Sequence, residues 1–460
     1  MIVQKFGGTS VADPEAIRRL IDIARLTHVR DSRGPVLVVS AMNHVTNGLL
    51  AVAGEAGNSR LGYALEQVEQ LRRRHLETAS DLLGEALADG DERDDFIALV
   101  AHIDQQFEEL VAVIKTLAVC REVPGQTLDM VAAVGELLSS RIIAAALLHA
   151  GLPGEWVDAR RVIVTDDNHT RATPMMEETK AALRASVLAQ VDAGRIPVLG
   201  GSVGATVEGV TTTLGRGGSD YSGAIVAVGV GARELQIWTD VDGMLTGDPR
   251  VVPQSRLVPR LSFGEAAELA YFGAKVLHPS TVFPAIERDL PVRILNSRKP
   301  EGGGTLITAE PVPDAHPLTA MAAKSGLTVV DITSSRMLMA YGFLRKVFEV
   351  FERFETAVDV VTTSEVSVSV TVDDCRHLEE IVDALLEFAD VSSEPGMAVL
   401  CAVGDRLRTE PGIGARAIRV LEEVPLRMIS QAASRRNITV VLGENDLPHA
   451  MHRLHEEFFA

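Results

Sequence analysis

The sequence predicts an α/β protein with a mostly parallel sheet covered by helices on both faces, followed by two smaller ferredoxin-like units. Two observations support this prediction. Short apolar runs alternate with helical patterns through the first 300 residues, which is typical of βαβ units. After a Gly- and Pro-rich stretch, a β-α-β-β-α pattern then occurs twice. The length of 460 residues is compatible with two to four domains at ~100–200 residues each.

The elements of the first part can be placed in order. Ile2–Phe6 is predicted as a strand, and Asp13 with Pro14 behind it predicts the start of a helix. Continuous apolar runs predict further buried strands at 35–41, Met130–Val134, Ile196–Leu199 and Leu235–Trp238. Helical patterns separate them at 135–150, 177–192 and 219–230. Residues 62–119 predict two long amphipathic helices, broken at 89–91, as an excursion from the sheet.

A change of composition predicts a domain boundary within 300–316, where glycines and prolines cluster. The first unit beyond it is predicted as strand 327–333, helix 342–354, strands 358–361 and 366–372, and helix 377–389. The second is predicted as strand 397–403, helix 413–423, strands 426–431 and 437–442, and helix 446–458. We therefore expect domains at 1–300, 317–393 and 394–460.

Composition and charge exclude several classes of protein. The chain has 44 Lys+Arg against 63 Asp+Glu, a net charge of −19, which argues against a nucleic-acid binder. No apolar run reaches the ~18 residues of a membrane span, and the N-terminus does not resemble a secretory signal. Three widely spaced cysteines predict no disulfide framework and fit a cytoplasmic protein. We predict no protein metal site, because the histidines at 449, 452 and 455 lack accompanying ligands.

Two glycine-containing motifs could bind charged ligands. Lys5-Phe6-Gly7-Gly8-Thr9-Ser10 follows the first strand, where backbone N–H groups and a lysine could meet a phosphate, although two glycines after a strand more often form just a tight turn. The segment 211–220, TTTLGRGGSD, is more specific. There Arg216 can bind a carboxylate with two hydrogen bonds, and Asp220 can pair with an ammonium. A site that offers both charges suits an amino acid.

A further motif contains residues suited to a nucleotide, and another contains a notable lysine. WTDVDGMLTGDPR, at 238–250, follows a strand and offers three aspartates together with Thr239 and Arg250, although a polar turn would also explain these residues. Ligands of open α/β sheets bind beyond the carboxyl ends of the strands, which favours this loop. FGAKVLHP, at 272–279, places Lys275 between the end of one helix and the start of another.

Taken in order and spacing, KFGGTSV, TTTLGRGGSDYS, WTDVDG…DPR and FGAKVLHP resemble aspartate kinase. The resemblance extends through the tail, where VVTTSEVS at 360–367 is similar to the effector-binding half of the paired ACT domains of this family. It implies a three-layer α/β/α amino-acid kinase domain, ATP-dependent phosphorylation of the β-carboxylate of L-aspartate, Mg²⁺ bound with ATP, and feedback control by an amino acid. It also implies a role in lysine, threonine and methionine biosynthesis.

The resemblance also implies roles for individual residues. Lys5 and Asp220 are expected to be catalytic, with Lys5 stabilising the phosphoryl group in transit and Asp220 holding the α-ammonium. The substrate-binding residues are expected to be Ser40, Thr46, Glu136, Arg216, Gly217, Gly218 and Ser219. The ATP-binding residues are expected to be Gly7, Gly8, Thr239, Asp240, Arg250, Lys275 and Val276.

For the effector, the resemblance implies binding by Met337, Ala340, Gly342, Phe343, Leu344, Val358, Asp359, Ser364 and Glu365. Ala340 stands where lysine-sensitive bacterial members often carry serine, and Leu245 replaces a common tyrosine of the nucleotide loop. We expect lysine as the first candidate effector and threonine as the second.

Three alternatives follow from the same residues. The chain is expected to be a monofunctional aspartate kinase, because it ends with the second small unit and a homoserine dehydrogenase would need several hundred further residues. A related kinase of another carboxylate is the second hypothesis, since one methylene is worth only ~1–3 kcal/mol. A catalytically idle amino-acid sensor is the third. Because ACT units usually pair across subunits, a homodimer or larger homo-oligomer is expected, without nucleic-acid or membrane partners.

Overall fold

The computed structural model describes residues 1–31, 33–84, 90–273, 282–309, 317–334, 341–407, 409–431 and 434–459. The chain forms two compact units. Unit 1 comprises Met1–Gly243 and His278–Ala309, and unit 2 comprises Met244–Leu277 and Glu310–Ala460. Unit 2 thus takes in residues 244–277, which lie inside the predicted first domain, and the predicted domain limits stay a prediction.

A sheet with a largely parallel arrangement forms the centre of unit 1. Its strands run in the order β3-β4-β2-β1-β7-β9-β10, and all of these neighbours are parallel except the antiparallel pair β9 and β10. A separate hairpin joins β5 and β6. The strands are β1 Ile2–Phe6, β2 Val36–Val39, β3 Gly154–Val157, β4 Ile196–Gly200, β5 Val203–Ala205, β6 Thr211–Thr213, β7 Glu234–Thr239, β9 Val292–Asn296 and β10 Thr305–Thr308.

Helices cover both faces of this sheet, which confirms the predicted three layers. Its helices are α1 Pro14–Arg30, α2 Val45–Gly57, α3 Leu61–Leu83, α4 Gly90–Cys120, α5 Gly125–His149, α6 Met176–Leu183, α7 Ala189–Asp192, α8 Gly218–Val230 and α10 Phe283–Ile286. Helices α1 and α5 pack with Phe6, Leu37 and Val39 on one face. Helix α8 lies on the other, where a Cβ on Gly223 would come within 3.1 Å of Lys5 Cβ. Successive residues of a strand point to opposite faces, so the side chains of β1 contact the helices on both faces of the sheet.

The start of α1 is the predicted one. Asp13 has an extended backbone, and its carboxylate accepts a 2.8 Å hydrogen bond from the backbone N–H of Ala16. Pro14 occupies the first turn, where its missing N–H has no helical partner to lose. Helices α3 and α4, in the region of the predicted excursion, pack with α2 and α5 around Leu49, Ile103 and Phe107.

The predicted strand at Met130–Val134 is wrong, because these residues belong to helix α5. A short apolar run does not distinguish a buried strand from a buried helix, and here the run continues to His149. In the described part of the chain, α5 is the one helix long and apolar enough to span a membrane. However, 83% of its apolar window is buried inside the protein, as in the core helix of a globular domain.

Unit 2 is built on a six-stranded antiparallel sheet in the order β12-β13-β11-β14-β16-β15. Helices α11 and α12 pack on Val330, Ile332 and Val370, whereas α13 and α14 pack on Leu400 and Val440. Its elements are β8 Arg260–Ser262, α9 Phe263–Tyr271, β11 Ala320–Thr333, α11 Phe343–Arg353, β12 Val361–Thr363, β13 Ser367–Val372, α12 Leu378–Leu386, β14 Asp390–Val403, α13 Ile413–Val420, β15 Leu426–Gln431, β16 Asn437–Gly443 and α14 Leu447–Phe459.

Two long strands are shared between the ferredoxin-like halves. The second half of β11 pairs with residues 390–394 of β14, whereas its first half, 320–324, pairs with 399–403. The register shifts between Lys324 and Val329 separate the two pairings. The second ferredoxin-like half therefore takes the strand segment 320–324 from the sequence of the first, and the predicted limit at 393/394 falls inside β14. The predicted strand 358–361 begins only at Val361, although the N–H of Asp359 still donates to the carbonyl of Thr371 in β13.

Candidate active site

A cavity of about 710 Å³ opens in unit 1 beyond the carboxyl ends of β1, β2 and β4. Its size is typical of a small-molecule site. All the residues predicted for catalysis and substrate binding line it, namely Lys5, Ser40, Thr46, Glu136, Arg216, Gly217, Gly218, Ser219 and Asp220. The structure thus brings together side chains from β1, α2, α5 and the start of α8, although it leaves their individual roles as predictions.

Lys5 and Asp220 form an ion pair at one wall of the cavity. Lys5 Nζ lies 2.6 Å from Asp220 Oδ1, and the Lys5 side chain is only 9% exposed. Lys5 sits near the end of β1, and Asp220 lies in the first turn of α8. An ammonium has three donors, so the pair leaves Lys5 able to donate to a ligand oxygen as well.

The glycine-rich segment shapes the loop that carries Arg216. Gly215 and Gly217 have φ values of +77° and +72°, a region that favours glycine. A Cβ on Gly218 would lie 2.2 Å from Ser202 Oγ, so only glycine lets this helix start approach the turn after β4. Within the described residues the exposed Arg216 guanidinium has no ion-pair or hydrogen-bond partner, which leaves it available to a carboxylate.

Glu136 is the most perturbed acid of the cavity. It lies on α5 and is 5% exposed, and its Oε1 accepts a 3.3 Å hydrogen bond from Thr46 Oγ1. Burial raises the pKa of its carboxyl to about 7, because desolvation outweighs hydrogen bonds from the backbone of Ala41 and from Thr46. The side chain therefore changes charge near neutral pH and could pair with an ammonium when ionised.

Sequence reasoning missed several residues of the cavity wall. Asp129, Thr170, Ser202 and Thr213 also line it. Asp129 stands seven positions before Glu136, so both lie on one face of α5. That spacing was hidden by the wrong assignment of a strand at 130–134. The hydroxyls of 211–213 were visible in the sequence, but their partners were not.

Of the predicted ATP-binding residues, the five that the structure describes do not line this cavity. Gly7 and Thr239 lie at the carboxyl ends of the neighbouring strands β1 and β7. The N–H of Gly7 donates to the carbonyl of Trp238 at 3.0 Å. The hydroxyl of Thr239 donates to Asp240 Oδ1 at 3.3 Å. A Cβ on Gly8 would lie 3.3 Å from the carbonyl oxygen of Ala41, so the backbone is closely approached there.

The remaining nucleotide residues fall elsewhere in the chain. Arg250 belongs to unit 2, where its guanidinium pairs with Asp248 and its side chain is 85% exposed. Lys275 and Val276 lie outside the described residues. The nucleotide site therefore stays a prediction.

The predicted effector residues occupy three places in unit 2. Gly342, Phe343 and Leu344 form the start of α11, with Gly342 at φ +83°. Val358 and Asp359 lie beside β13, whereas Ser364 and Glu365 form its turn with β12. Met337 and Ala340 lie outside the described residues.

Asp359 is already engaged within unit 2. Lys324 Nζ lies 2.9 Å from its Oδ2 and 2.6 Å from Asp373 Oδ2. The hydroxyl of Tyr271 donates to Asp359 Oδ1 at 3.2 Å. Burial alone would lower the pKa of the Lys324 ammonium, but the two carboxylates raise it above its ordinary value.

Comparisons with known proteins agree with this geometry. Residues 1–296 match the amino acid kinase family, and residues 400–458 match the ACT domain. The chain is 33% identical over 468 residues to lysine-sensitive aspartokinase 3 of Escherichia coli, covering 100% of this chain and 99% of that protein. It is 36% identical over 475 residues to chloroplastic aspartokinase 3 of Arabidopsis thaliana, covering 99% and 81%. The chain belongs to the aspartokinase family.

Solved structures extend this conclusion to the fold. The E. coli aspartokinase III structure in complex with lysine and aspartate superposes with a TM-score of 0.83 at 32% identity, covering all of both chains. The aspartokinase of Clostridium acetobutylicum gives 0.83 at 26% identity, again over both whole chains. An amino-acid kinase domain followed by ACT domains is therefore the architecture of this protein, which is an aspartokinase-type phosphotransferase with a carboxyl group as acceptor.

Proposed function

We propose that this protein transfers the γ-phosphoryl group of ATP to the β-carboxylate of L-aspartate in the cavity of unit 1. The observation that carries this proposal is the convergence of Lys5, Glu136, Arg216 and Asp220 on one cavity. They provide two cations and two acids, which match the two carboxylates, the ammonium and the phosphoryl group of such a reaction.

The chain's own residues suit the work that phosphoryl transfer needs, which is positioning and neutralisation of charge. Arg216 binds the α-carboxylate, and the acidic side chains Asp220 and Glu136 hold the ammonium. Lys5, fixed by Asp220, donates to an oxygen of the phosphoryl group as its charge shifts. At Gly8 the lack of a side chain lets a phosphate approach the backbone N–H, whereas the N–H of Gly7 already donates to the carbonyl of Trp238.

Mg²⁺ is proposed to be bound with the nucleotide. Within the described part of the chain, no group of three or more His, Cys, Asp or Glu side chains is arranged to hold a metal ion. Mg²⁺ prefers phosphate oxygens and water with one or two carboxylates, and Asp240 beside Thr239 is suitably placed at the strand edge to be one of them. The ion would neutralise charge on the phosphates, which is the chemistry it supplies when bound.

We further propose feedback inhibition by an amino acid at unit 2, with lysine the first candidate and threonine the second. The carboxylate of Asp359 already binds an ammonium, that of Lys324, so its surroundings suit a cationic ligand. The name of the E. coli relative, lysine-sensitive aspartokinase 3, supports lysine. On this proposal the enzyme serves the biosynthesis of lysine, threonine and methionine.

A homo-oligomer in the cytoplasm is proposed from separate observations. Strands β12 and β15 are the edges of the six-stranded sheet, and exposed edges offer backbone groups to a second copy. All three cysteines are free thiols, as is usual in a reducing compartment. A monomeric mass in light scattering would contradict the oligomer.

An acyl-phosphate trap tests the proposed reaction. The protein is incubated with ATP, Mg²⁺ and hydroxylamine, with L-aspartate or L-glutamate in parallel, and each with added lysine or threonine. Hydroxamate from aspartate alone, suppressed by lysine, is the expected result. Activity on glutamate would favour the related-kinase hypothesis, and no hydroxamate from either substrate would favour the amino-acid sensor.

A further inference from the structure

Asp129 is a buried carboxylate in the cavity wall that the proposed reaction does not use. It is 1% exposed and lies on α5, two turns before Glu136. We propose that Asp129 is a positioning residue, which fixes the loop bearing Arg216 and thereby sets the affinity for the acceptor's α-carboxylate. This inference rests on the proposed function, because it assigns Arg216 to that carboxylate.

Every hydrogen bond that the structure shows for the Asp129 carboxylate comes from one of two loops, residues 168–172 or residues 213–218, the second of which bears Arg216. His169 Nδ1 lies 2.7 Å from Oδ2, and the N–H of Thr170 donates to both oxygens at 3.0 and 3.1 Å. The hydroxyl of Thr213 donates to Oδ1. An ionised carboxylate only accepts, so His169 must carry its proton on Nδ1 at this contact.

This pattern separates Asp129 from its neighbour on the helix. A carboxylate has about four lone-pair positions, and donors from three residues already occupy those of Asp129. Little capacity is left for a ligand. Glu136 takes one side-chain hydrogen bond, from Thr46, and backbone hydrogen bonds from Ala41 and from its own N–H, but these do not offset burial, and its pKa is raised to about 7. Asp129 therefore binds other parts of the protein, whereas Glu136 is available to bind substrate.

The contacts lead from Asp129 to Arg216 in two steps. The first loop, residues 168–172, approaches the second, residues 213–218, and the N–H of Ala172 donates to the carbonyl of Thr213 at 2.9 Å. A Cβ on Gly215 would lie 3.0 Å from the carbonyl oxygen of Thr170, so the loops touch directly beside Arg216. Thr170 itself has φ +69°, a conformation that costs energy in a threonine and needs external support.

The first test replaces Asp129 with asparagine. Its amide group would present N–H to donors that now meet oxygen, so the Arg216 loop loses a charged anchor. We expect the KM for aspartate to rise about 10- to 100-fold, the loss typical of a hydrogen bond to a charged group, with the KM for ATP within twofold. An equal rise in both KM values would instead indicate general loosening and would overturn the proposal.

A matched control uses Asp158, whose carboxylate is also largely buried and binds the Arg160 guanidinium and N–H. Asp158 does not line the cavity. Asp158→Asn should leave both KM values within twofold of the wild type. A rise in the aspartate KM in this variant matching that of Asp129→Asn would remove the specific role of Asp129.

Conservative replacement at His169 provides a rescue. The amide nitrogen of asparagine can take the place of Nδ1, so His169→Asn keeps the donor to Asp129, whereas His169→Ala removes it. We expect the alanine variant to raise the KM for aspartate several-fold and the asparagine variant to restore it. Equal KM values in the two variants would contradict a role for this hydrogen bond.

Hydrogen exchange tests the inference independently of turnover. In Asp129→Asn, the backbone amides of 213–218 should exchange at least tenfold faster than in the wild type, and those of β1 should be unchanged. Unchanged exchange in 213–218 would overturn the positioning role even if the enzyme is active. Faster exchange in a protein that forms no aspartyl hydroxamate would refute the proposed function and leave the loop anchoring intact.

Discussion

The ion pairs of Lys5 in unit 1 and of Lys324 in unit 2 use the same chemistry in different surroundings. Lys5 meets the carboxylate of Asp220 at 2.6 Å, in the wall of an open cavity. Lys324 is shared between Asp359 and Asp373, and Tyr271 donates to the first of these. Among the described residues, the Lys5 ammonium thus has one acidic partner, whereas the Lys324 ammonium has two.

This difference indicates what each lysine can do. A cation with one counter-ion and a cavity in front of it retains donors for an incoming anion, as a phosphoryl group requires. A cation held by two carboxylates neutralises them and must be displaced or shared before either binds another ammonium. We therefore propose that the first pair acts in turnover and that the second tunes the effector response.

The largest expected effect on aspartate affinity comes from removing Arg216, which has no ion-pair partner among the described residues. Arg216→Gln should raise the KM for aspartate about 100-fold or more, because two charged hydrogen bonds to a carboxylate are lost. Arg33→Gln, which breaks an exposed ion pair with Asp192, is the control and should leave the KM for aspartate unchanged. Steady-state kinetics decide, and an Arg216→Gln enzyme with a KM within threefold of the wild type would refute the assignment.

The second prediction concerns Glu136 and pH. Because the pKa of Glu136 is raised to about 7, its ionised, ammonium-binding form predominates above that pH and is lost below it. The value of kcat/KM for aspartate should fall about tenfold per pH unit once pH drops below 7. The Glu136→Gln enzyme should have a lower kcat/KM for aspartate than the wild type at pH 8, and its kcat/KM should not fall between pH 7 and pH 6. A wild-type profile that stays flat from pH 6 to 8 would contradict the prediction.

A smaller effect is expected at the second pair. Asp373→Asn leaves the Lys324 ammonium to Asp359 alone, so an incoming effector ammonium meets a stronger competitor. The concentration of lysine that halves activity should rise about two- to threefold, within the range of one partly exposed ion pair. Asp374→Asn, whose partner is the exposed Arg376, is the matched control. A shift of equal size in both variants would show a general charge effect.

The cavity was largely predictable because its key residues come from continuous motifs. Lys5 follows from the glycines after β1, and Arg216 and Asp220 follow from one loop whose glycines adopt positive φ. Local patterns of this kind carry their conformational reason with them. The lysine–aspartate pairing itself was not predictable, since it joins residues 215 positions apart.

Two features lay beyond the sequence for physical reasons. Asp129 depends on two loops meeting through tertiary contacts, and its helix was misassigned because a five-residue apolar run has no decisive period. In unit 2, the pairing of 320–324 with 399–403 is a long-range register, which the repeated β-α-β-β-α pattern did not contain. Order along the chain therefore showed the two halves but not the strands that they share.

The most direct test compares Lys5→Met with Lys324→Met in the hydroxamate assay, with and without lysine. We predict that Lys5→Met loses about 10²- to 10³-fold in turnover, the scale of losing one electrostatic stabiliser of a transition state. Lys324→Met should keep turnover within twofold. Its half-inhibiting lysine concentration should fall at least threefold, because Asp359 loses its internal counter-ion. Turnover by Lys5→Met within tenfold of the wild type, or an unchanged lysine response in Lys324→Met, would contradict the division of work between the two pairs.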